Sequence, residues 1–439
     1  MTKKHVRWLY SELPSLVDKH VIPEDTADKL REHYGDAIAY SGRRIALTVC
    51  SMLGSLLIGA GIILLLAHNW QQFSRVTRTC LALAPLVAAQ LMTLWVLQTG
   101  KKSAAWREGT ATFQTLAMGA SIALVGQTYH IPGDLGDFLL IWTVLTLPLV
   151  YLLGASLPAI IYCVGITAWA GYQQNQGEHA ILFWALFTGA LPHVWLSTQK
   201  DPYSPRSAIL GWAVSLCLCV AVGLVLEKVL PGLWVVVYSG LFTVLYLAGA
   251  RWFDQGESAF VRPFHTVGSV GIPVLTLLFT FEFPWKEAGW HYYRHAPNFH
   301  EWAAVPDYAL SALLPAIAIC LLASAFCRGE KHRLLRGIFP IITLIMYSVS
   351  AGTDANLPAM IVFNIYMFAL GIGTVINGIT RSSLSAVNGG MLILASLILV
   401  RFFDSEFGFV IRGIVFIVLG AGFLATNVLL AKKIKGAAL

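Results

Sequence analysis

Arg401, Asp404 and Arg412 lie close together near the end of the chain. Two guanidinium groups can clamp an anion, because their planar forks match the oxygens of a phosphate or carboxylate. The plain alternative is an ion pair between Asp404 and Arg412 that fixes a helix end. His130, Asp134 and Asp137 form a second group. A histidine titrates near neutral pH and a neighbouring carboxylate favours its charged form, so these three can relay protons. The alternative here is a hydrogen-bonded loop, since Ile131-Pro132-Gly133-Asp134 is also ordinary turn chemistry. Asn69, Trp70, Gln127, Tyr129 and Asp354 complete the expected substrate-binding set. No residue is assigned a catalytic role. No metal and no cofactor is expected, because the chain has neither a Gly-x-x-x-x-Gly-Lys phosphate loop nor a His-Glu-x-x-His zinc helix. His291 and His295 stand one helical turn apart, but Pro297 breaks that helix, and the loop reads as an interfacial belt with Trp285, Trp290, Tyr292, Tyr293 and Trp302.

The elements that must position these residues are membrane spans. The chain has 439 residues, 57% hydrophobic and 12% charged. Soluble domains carry about 25% charged residues, so an ordinary soluble enzyme, a disordered chain and a coiled coil are excluded. A span needs about 20 mostly apolar residues. Fourteen stretches fit: 45–67, 79–98, 108–127, 138–154, 157–172, 180–197, 207–225, 232–250, 266–281, 308–327, 337–351, 357–377, 384–400 and 410–431. Residues 138–172 form one run, too long for a single crossing, and Gly154 with Pro158 marks a tight turn inside it. Pro192 and Pro273 mark kinks. Gln90, Gln114, Asn364, Asn377, Asn388 and Asn427 are amides within spans, and their usual role is to hydrogen-bond between helices.

The net charge of +7 fits the positive-inside rule better than nucleic-acid binding. With the N-terminus in the cytoplasm, 23 of the 30 Lys and Arg fall on the cytoplasmic side and 6 outside, with Arg412 inside the last span. The expected fold is therefore all-α: a polytopic transmembrane bundle of about fourteen spans, N-in and C-in. Residues 1–44 read as a cytoplasmic helical hairpin, 45–431 as the bundle and 432–439 as a basic cytoplasmic tail. The first 44 residues are polar, so no cleavable signal peptide is expected. The first hairpin helix runs from His5 to Lys19, and the second starts at Pro23-Glu24. The seven cysteines fall in or beside apolar stretches and do not suggest a disulfide framework.

Three motifs carry a resemblance. They are Leu-Leu-Leu-Ala-His-Asn-Trp ending at Trp70, Gly-Gln-Thr-Tyr-His-Ile-Pro-Gly-Asp from Gly126 to Asp134, and Val-Arg-Phe-Phe-Asp from Val400 to Asp404. With the hairpin, they resemble the bacterial predicted membrane protein family called domain of unknown function 2157, chiefly over 45–155 and 360–435. The resemblance implies a multi-pass protein of the bacterial inner membrane and brings no reaction with it. The charge map places all three motifs outside, as it does Asp354 and the aromatic loop 282–307.

The leading functional expectation is transport or flipping of a small or lipid-linked anionic solute through a polar cavity opening at the outer face. Arg401 and Arg412 would bind the anion, while His130, Asp134 and Asp404 would carry protons or gate the cavity. Alternatives are an integral-membrane enzyme acting on a lipid-linked substrate at the outer leaflet, with Asp134, Asp404 or His130 as base, and a non-catalytic assembly or sensing protein. The short outer loops lean away from an enzyme. The expected partners are the lipid bilayer, the anionic ligand and a cytoplasmic protein at residues 1–40, with no nucleic acid.

Overall fold

A backbone surrounded by lipid must satisfy its N–H and C=O groups within its own segment, so long apolar runs become helices. The computed structural model describes residues 3–34, 70–100, 104–200, 202–226, 232–253, 258–286, 305–353, 356–381, 383–404, 417, 420–422 and 424. Among the described residues every regular element is helical and none is a strand. The protein is an all-α membrane protein.

The chain divides into two compact units, residues 1–80 and 81–439. In the first, α1 (Lys3–Asp18) and α2 (Glu24–Tyr34) form a hairpin. Its buried apolar residues are Leu13 and Ala27. Helix α2 starts directly after Pro23 and carries Glu24 and Asp25 in its first turn, where the helix dipole favours carboxylates. A single turn at Trp70–Gln72 precedes α3 (Arg75–Gln98).

The second unit contains α4 (Ala104–Tyr129), α5 (Leu135–Leu153), α6 (Ser156–Gln176), α7 (Leu182–Lys200), α8 (Pro205–Leu226) and α9 (Trp234–Trp252). After these come α10 (Pro263–Leu278), α11 (Val305–Cys327), α12 (Phe339–Thr353), α13 (Leu357–Thr380) and α14 (Leu384–Asp404). The long apolar run breaks at Gly154, as its sequence suggests. Gly154 has φ 59°, ends α5 in the left-handed region and gives its N–H to the carbonyl of Val150.

Hydrogen bonds show which helix ends meet. The start of α4 meets the α5–α6 turn and the start of α8 through Glu108, Ser156 and Arg206. Arg251, at the end of α9, bonds to Ser324 near the end of α11. Arg336, before α12, bonds to Thr374 near the end of α13. At the opposite end, Tyr238 near the start of α9 donates to the carbonyl of Cys219 on α8, and Arg401 of α14 bonds to Asn364 of α13. Successive helices of this unit therefore run in alternate directions. The first set of ends is rich in cations and is termed the basic end.

Eight stretches among the described residues are long and apolar enough to cross a membrane by length and composition. Helices α4, α6 and α7 are not among them, and α10 is apolar but shorter. Their sequences give the reason. Helix α4 carries Thr110, Thr112, Gln114 and Thr115, α6 ends in Tyr-Gln-Gln-Asn-Gln, and α7 ends in Ser-Thr-Gln-Lys. Protein neighbours replace lipid around them. Tyr162, Cys163 and Ile166 of α6 are fully buried in a core shared with Phe183 of α7 and Leu210 of α8. Gln114 accepts a hydrogen bond from the Thr93 hydroxyl of α3, so this amide does join two helices. The stretches 45–67 and 410–431 lie outside the described residues.

Candidate functional site

Three helices enclose the principal polar cleft among the described residues. Helix α14 packs closely along α13: a Cβ placed on Gly390 would lie 2.7 Å from the backbone N of Val375. Helix α10 packs as closely on α9: a Cβ on Gly268 would collide with the backbone N of Tyr246. With each helix held to a different neighbour, a space of 660 Å³ is left between α10 and α14, with α13 also contributing to its wall. Ligand sites usually fall between about 300 and 1,000 Å³.

The lining of the cleft changes along its length. Arg262 and His265, one turn apart, stand at its basic end. His332 and Arg336 face them from the turn before α12. Arg336 lies over the Tyr246 ring at 5.6 Å, and that ring in turn packs on His265 at 5.1 Å. The hydroxyl and amide groups of Thr266, Thr374, Asn377 and Ser383 follow. Further along the wall is mainly apolar, with Val270, Val274 and Leu277 opposite Leu392 and Ile393, and with Ser269 and Ser396 among them. From residue 262 to 277 the helical rise spans about 22 Å. A cationic mouth thus leads into an apolar trough about 10 Å long by helical rise, from Val270 to Leu277.

An acidic residue, Glu330, begins the turn that carries His332. Glu330 lies 3.3 Å from Arg328 Nε and 3.0 Å from Arg333 Nη1. The Arg328 hydrogen bond and the nearby positive charges hold its carboxyl below the usual glutamate value.

The opposite end of the same three helices is clasped by Arg401. Its Nε donates to Asn364 Oδ1 of α13 at 2.9 Å, and its Nη2 donates to the carbonyl of Thr280, just past α10. The guanidinium also lies 5.5 Å from the centre of the Phe281 ring. Behind it, Phe279, Trp285 and Phe363 form a buried aromatic cluster. Arg401 therefore joins α10, α13 and α14 where the cleft ends.

The remaining residues singled out in the sequence are placed as follows. Tyr129 ends α4, and His130 follows with φ 52°, a left-handed conformation uncommon outside glycine. Asp134 caps α5: its Oδ1 accepts the Asp137 N–H at 2.8 Å, and Asp137 reaches back towards the Asp134 N–H. This is a capping box built from two aspartates. Gln127, Tyr129, His130, Asp134 and Asp137 are all exposed. Trp70 lies in the first unit. Asn69, Asp354 and Arg412 lie outside the described residues, as does the side chain of Asp404. Sequence reasoning expected the cavity at the end that holds Arg401. Among the described residues this polar cleft lies at the basic end, and Arg401 bonds α10, α13 and α14 together at the other; the expected outer-face cavity also draws on Asn69, Asp354 and Arg412, outside the described residues. Sequence reasoning missed the four residues of the cleft mouth: Arg262 and Arg336 entered only as loop charge, and His265 and His332 were not singled out. Their spacing of one helical turn within each pair was the available signal.

Residues 14–159 match the family model described as predicted membrane protein (DUF2157), the family that the motifs resemble. The match includes the motifs at Asn69-Trp70 and Gly126–Asp134 and ends before Val400–Asp404. The chain thus carries that family's pattern over its first third, in keeping with its multi-pass membrane architecture. Neither the comparison with curated proteins nor the comparison with solved structures gave a match.

Proposed function

We propose that this multi-pass membrane protein binds an anionic, lipid-linked solute and flips it between the two membrane surfaces. The observation that carries this reading is the helix trio α10, α13 and α14, parted by a cleft at the basic end and clasped by Arg401 at the other. That is one half of an alternating-access cycle. Arg262, His265, His332 and Arg336 would hold the anionic headgroup, and the apolar trough would hold the tail. A small inorganic anion would leave the trough unused, so an amphiphile fits better. By the positive-inside rule the basic end faces the cytoplasm, and the solute enters there. Arg401 acts in this reading as the far gate. Gln127, Tyr129, His130 and the other far-end residues form the surface onto which the solute emerges.

The test is flipping in proteoliposomes, read by chemical quenching of a tail-labelled fluorescent lipid. Labelled phosphatidylglycerol should cross at least tenfold faster than labelled phosphatidylcholine. Arg262→Gln combined with Arg336→Gln should abolish the difference. Equal rates for both lipids in the wild type would refute the reading.

A further inference from the structure

Asp307 is the least accommodated ionisable group among the described residues. It lies in the first turn of α11 and is 0% exposed. Neither carboxyl oxygen has a hydrogen-bond partner. A buried carboxylate in a membrane bundle normally has a cation, a cluster of N–H donors or water beside it. Among the described residues no cation and no N–H donor pairs with Asp307.

Among the described residues the neighbouring elements supply no counter-charge. Helix α9, the main partner of α11, carries Tyr238, Tyr246 and Arg251. The Tyr238 hydroxyl donates to Cys219, Tyr246 packs on His265 and Arg336, and Arg251 bonds to Ser324. Ser324 lies about 25 Å along α11 from Asp307, by helical rise. Helix α12 brings Tyr347. The turn before it brings Lys331, His332, Arg333 and Arg336, all at the basic end. Tyr308, next to Asp307, is exposed. Lys286, beyond the end of α10, is paired with Glu282 at 3.0 Å.

We propose that Asp307 is a proton-binding site, and that taking up and releasing this proton drives the conformational change of solute flipping. The coupling rests on the transport reading given above; the protonation does not. In this proposal the buried side chain is the neutral acid in the conformation seen here: the dipole of the α11 N-terminus favours a charge there, but no described side chain pairs with it. Ionisation requires the first turns of α11 to move until the carboxylate meets water. The packing provides for that movement. Pro315 interrupts the hydrogen-bond ladder of α11 two turns after Asp307. Beside the half-helix before it lies an apolar groove of 460 Å³, lined by Pro306, Ala309, Leu310 and Leu314 on α11 and by Trp184 and Leu191 on α7. The Trp184 indole N–H is also buried without an acceptor. Trp184 thus adds an unpaired donor to the groove beside the half-helix that carries Asp307. The movement reaches the cleft through α9: a Cβ on Gly240 would lie 2.9 Å from the backbone of Leu314 and Pro315, while Gly268 of α10 abuts the other side of α9.

Two measurements on the full chain test this. The first is a pH titration by infrared spectroscopy in lipid vesicles. The wild type should show a protonated-carboxyl band at neutral pH that Asp307→Asn lacks, with the helical content unchanged. An identical band in both proteins, or no band in the wild type, would refute the proton site. The second is flipping of labelled phosphatidylglycerol with and without a one-unit pH gradient. The gradient should speed the wild type several-fold and leave Asp307→Asn, which mimics the neutral acid, unaffected. An equal response in the two would refute the coupling. Absence of flipping in the wild type at every pH would refute the transport reading and the coupling with it, while the infrared result still decides the proton site. Asp307→Glu should restore both signals, which a purely structural role would not require.

Discussion

Arg206 Nε lies 2.8 Å from Glu108 Oε1, and between them the two residues fasten four helices. Glu108 of α4 accepts the N–H groups of Ser156 and Leu157 at 2.8 and 2.9 Å, so a carboxylate from a distant helix caps α6. Arg206 of α8 reaches the Ser156 hydroxyl and the carbonyl of Gly154, where α5 ends. One buried helix end is thus closed by two residues from elsewhere in the chain.

Glu108→Ala should remove both caps and the ion pair. A lost cap typically costs about 1 kcal/mol, and leaving donors unpaired raises that to about 2–3 kcal/mol. Arg206→Ala should cost less, because the pair is partly exposed and solvent-screened. Thermal unfolding in detergent checks the order, and a double mutant should show coupling of about 0.5–1 kcal/mol.

Asp134 is expected to act through the capping box. Asp134→Ala should lower stability by about 1 kcal/mol, and Asp134→Asn should lower it little, since asparagine also caps. Neither should alter the pH dependence of flipping. A shifted pH profile in Asp134→Asn would show instead that His130 and the two aspartates relay protons.

Arg401→Gln should open the far end of the cleft. A single cysteine at Thr280, in a background free of the native thiols, should react with an impermeant maleimide several-fold faster when Arg401 is replaced. Unchanged labelling would remove the clasp role.

Glu330 gives a dependence on acid. Its carboxyl is held low, first by the Arg328 hydrogen bond and then by the charges of Arg333 and Arg328. A lowered native value means that its contribution to stability is complete above the unfolded glutamate value, about pH 4.3, and disappears as pH falls through the native value. Wild type should therefore exceed Glu330→Gln in melting temperature at pH 7, and the gap should close below about pH 4. A gap that widens on acidification would contradict the assignment.

Gly268→Ala should force α9 and α10 apart, because the new Cβ would meet the backbone of Tyr246 and the carbonyl oxygen of Phe242. Overpacking of this kind costs about 1–3 kcal/mol. The same change at Gly126, where a Cβ would meet nothing within 4 Å, is the control.

Hydropathy made the helices legible. Each expected span within the described residues coincides with a helix, and Gly154 divides the run 138–172 at the expected place. The N-terminal hairpin followed from the same reasoning, through Pro23 and Glu24. The Asp134-x-x-Asp137 spacing is a capping signature and was open to that reading. Glu108 and Arg206 were not readable as partners, because no periodicity links residues so far apart in the chain. The same holds for the cleft. Arg262 and Arg336 look like topogenic charge until α10, α13 and the turn before α12 are seen side by side. Arg401 was noticed for its charge, yet its contacts include a neutral amide oxygen and a backbone carbonyl, and an isolated sequence cannot reveal those.

The two-residue turn at Gly154 also bears on how the protein is made. Helix α6 is less apolar than α5, which is among the stretches long and apolar enough to cross a membrane. Joined so tightly, the two can enter the bilayer only as a pair, with α6 sheltered by the helix synthesised just before it. A nascent chain halted after residue 176 should therefore hold both helices in the membrane. The same chain with a long flexible insert after Gly154 should leave α6 in water until α7 and α8 have emerged. The order of synthesis thereby becomes part of what folds this protein.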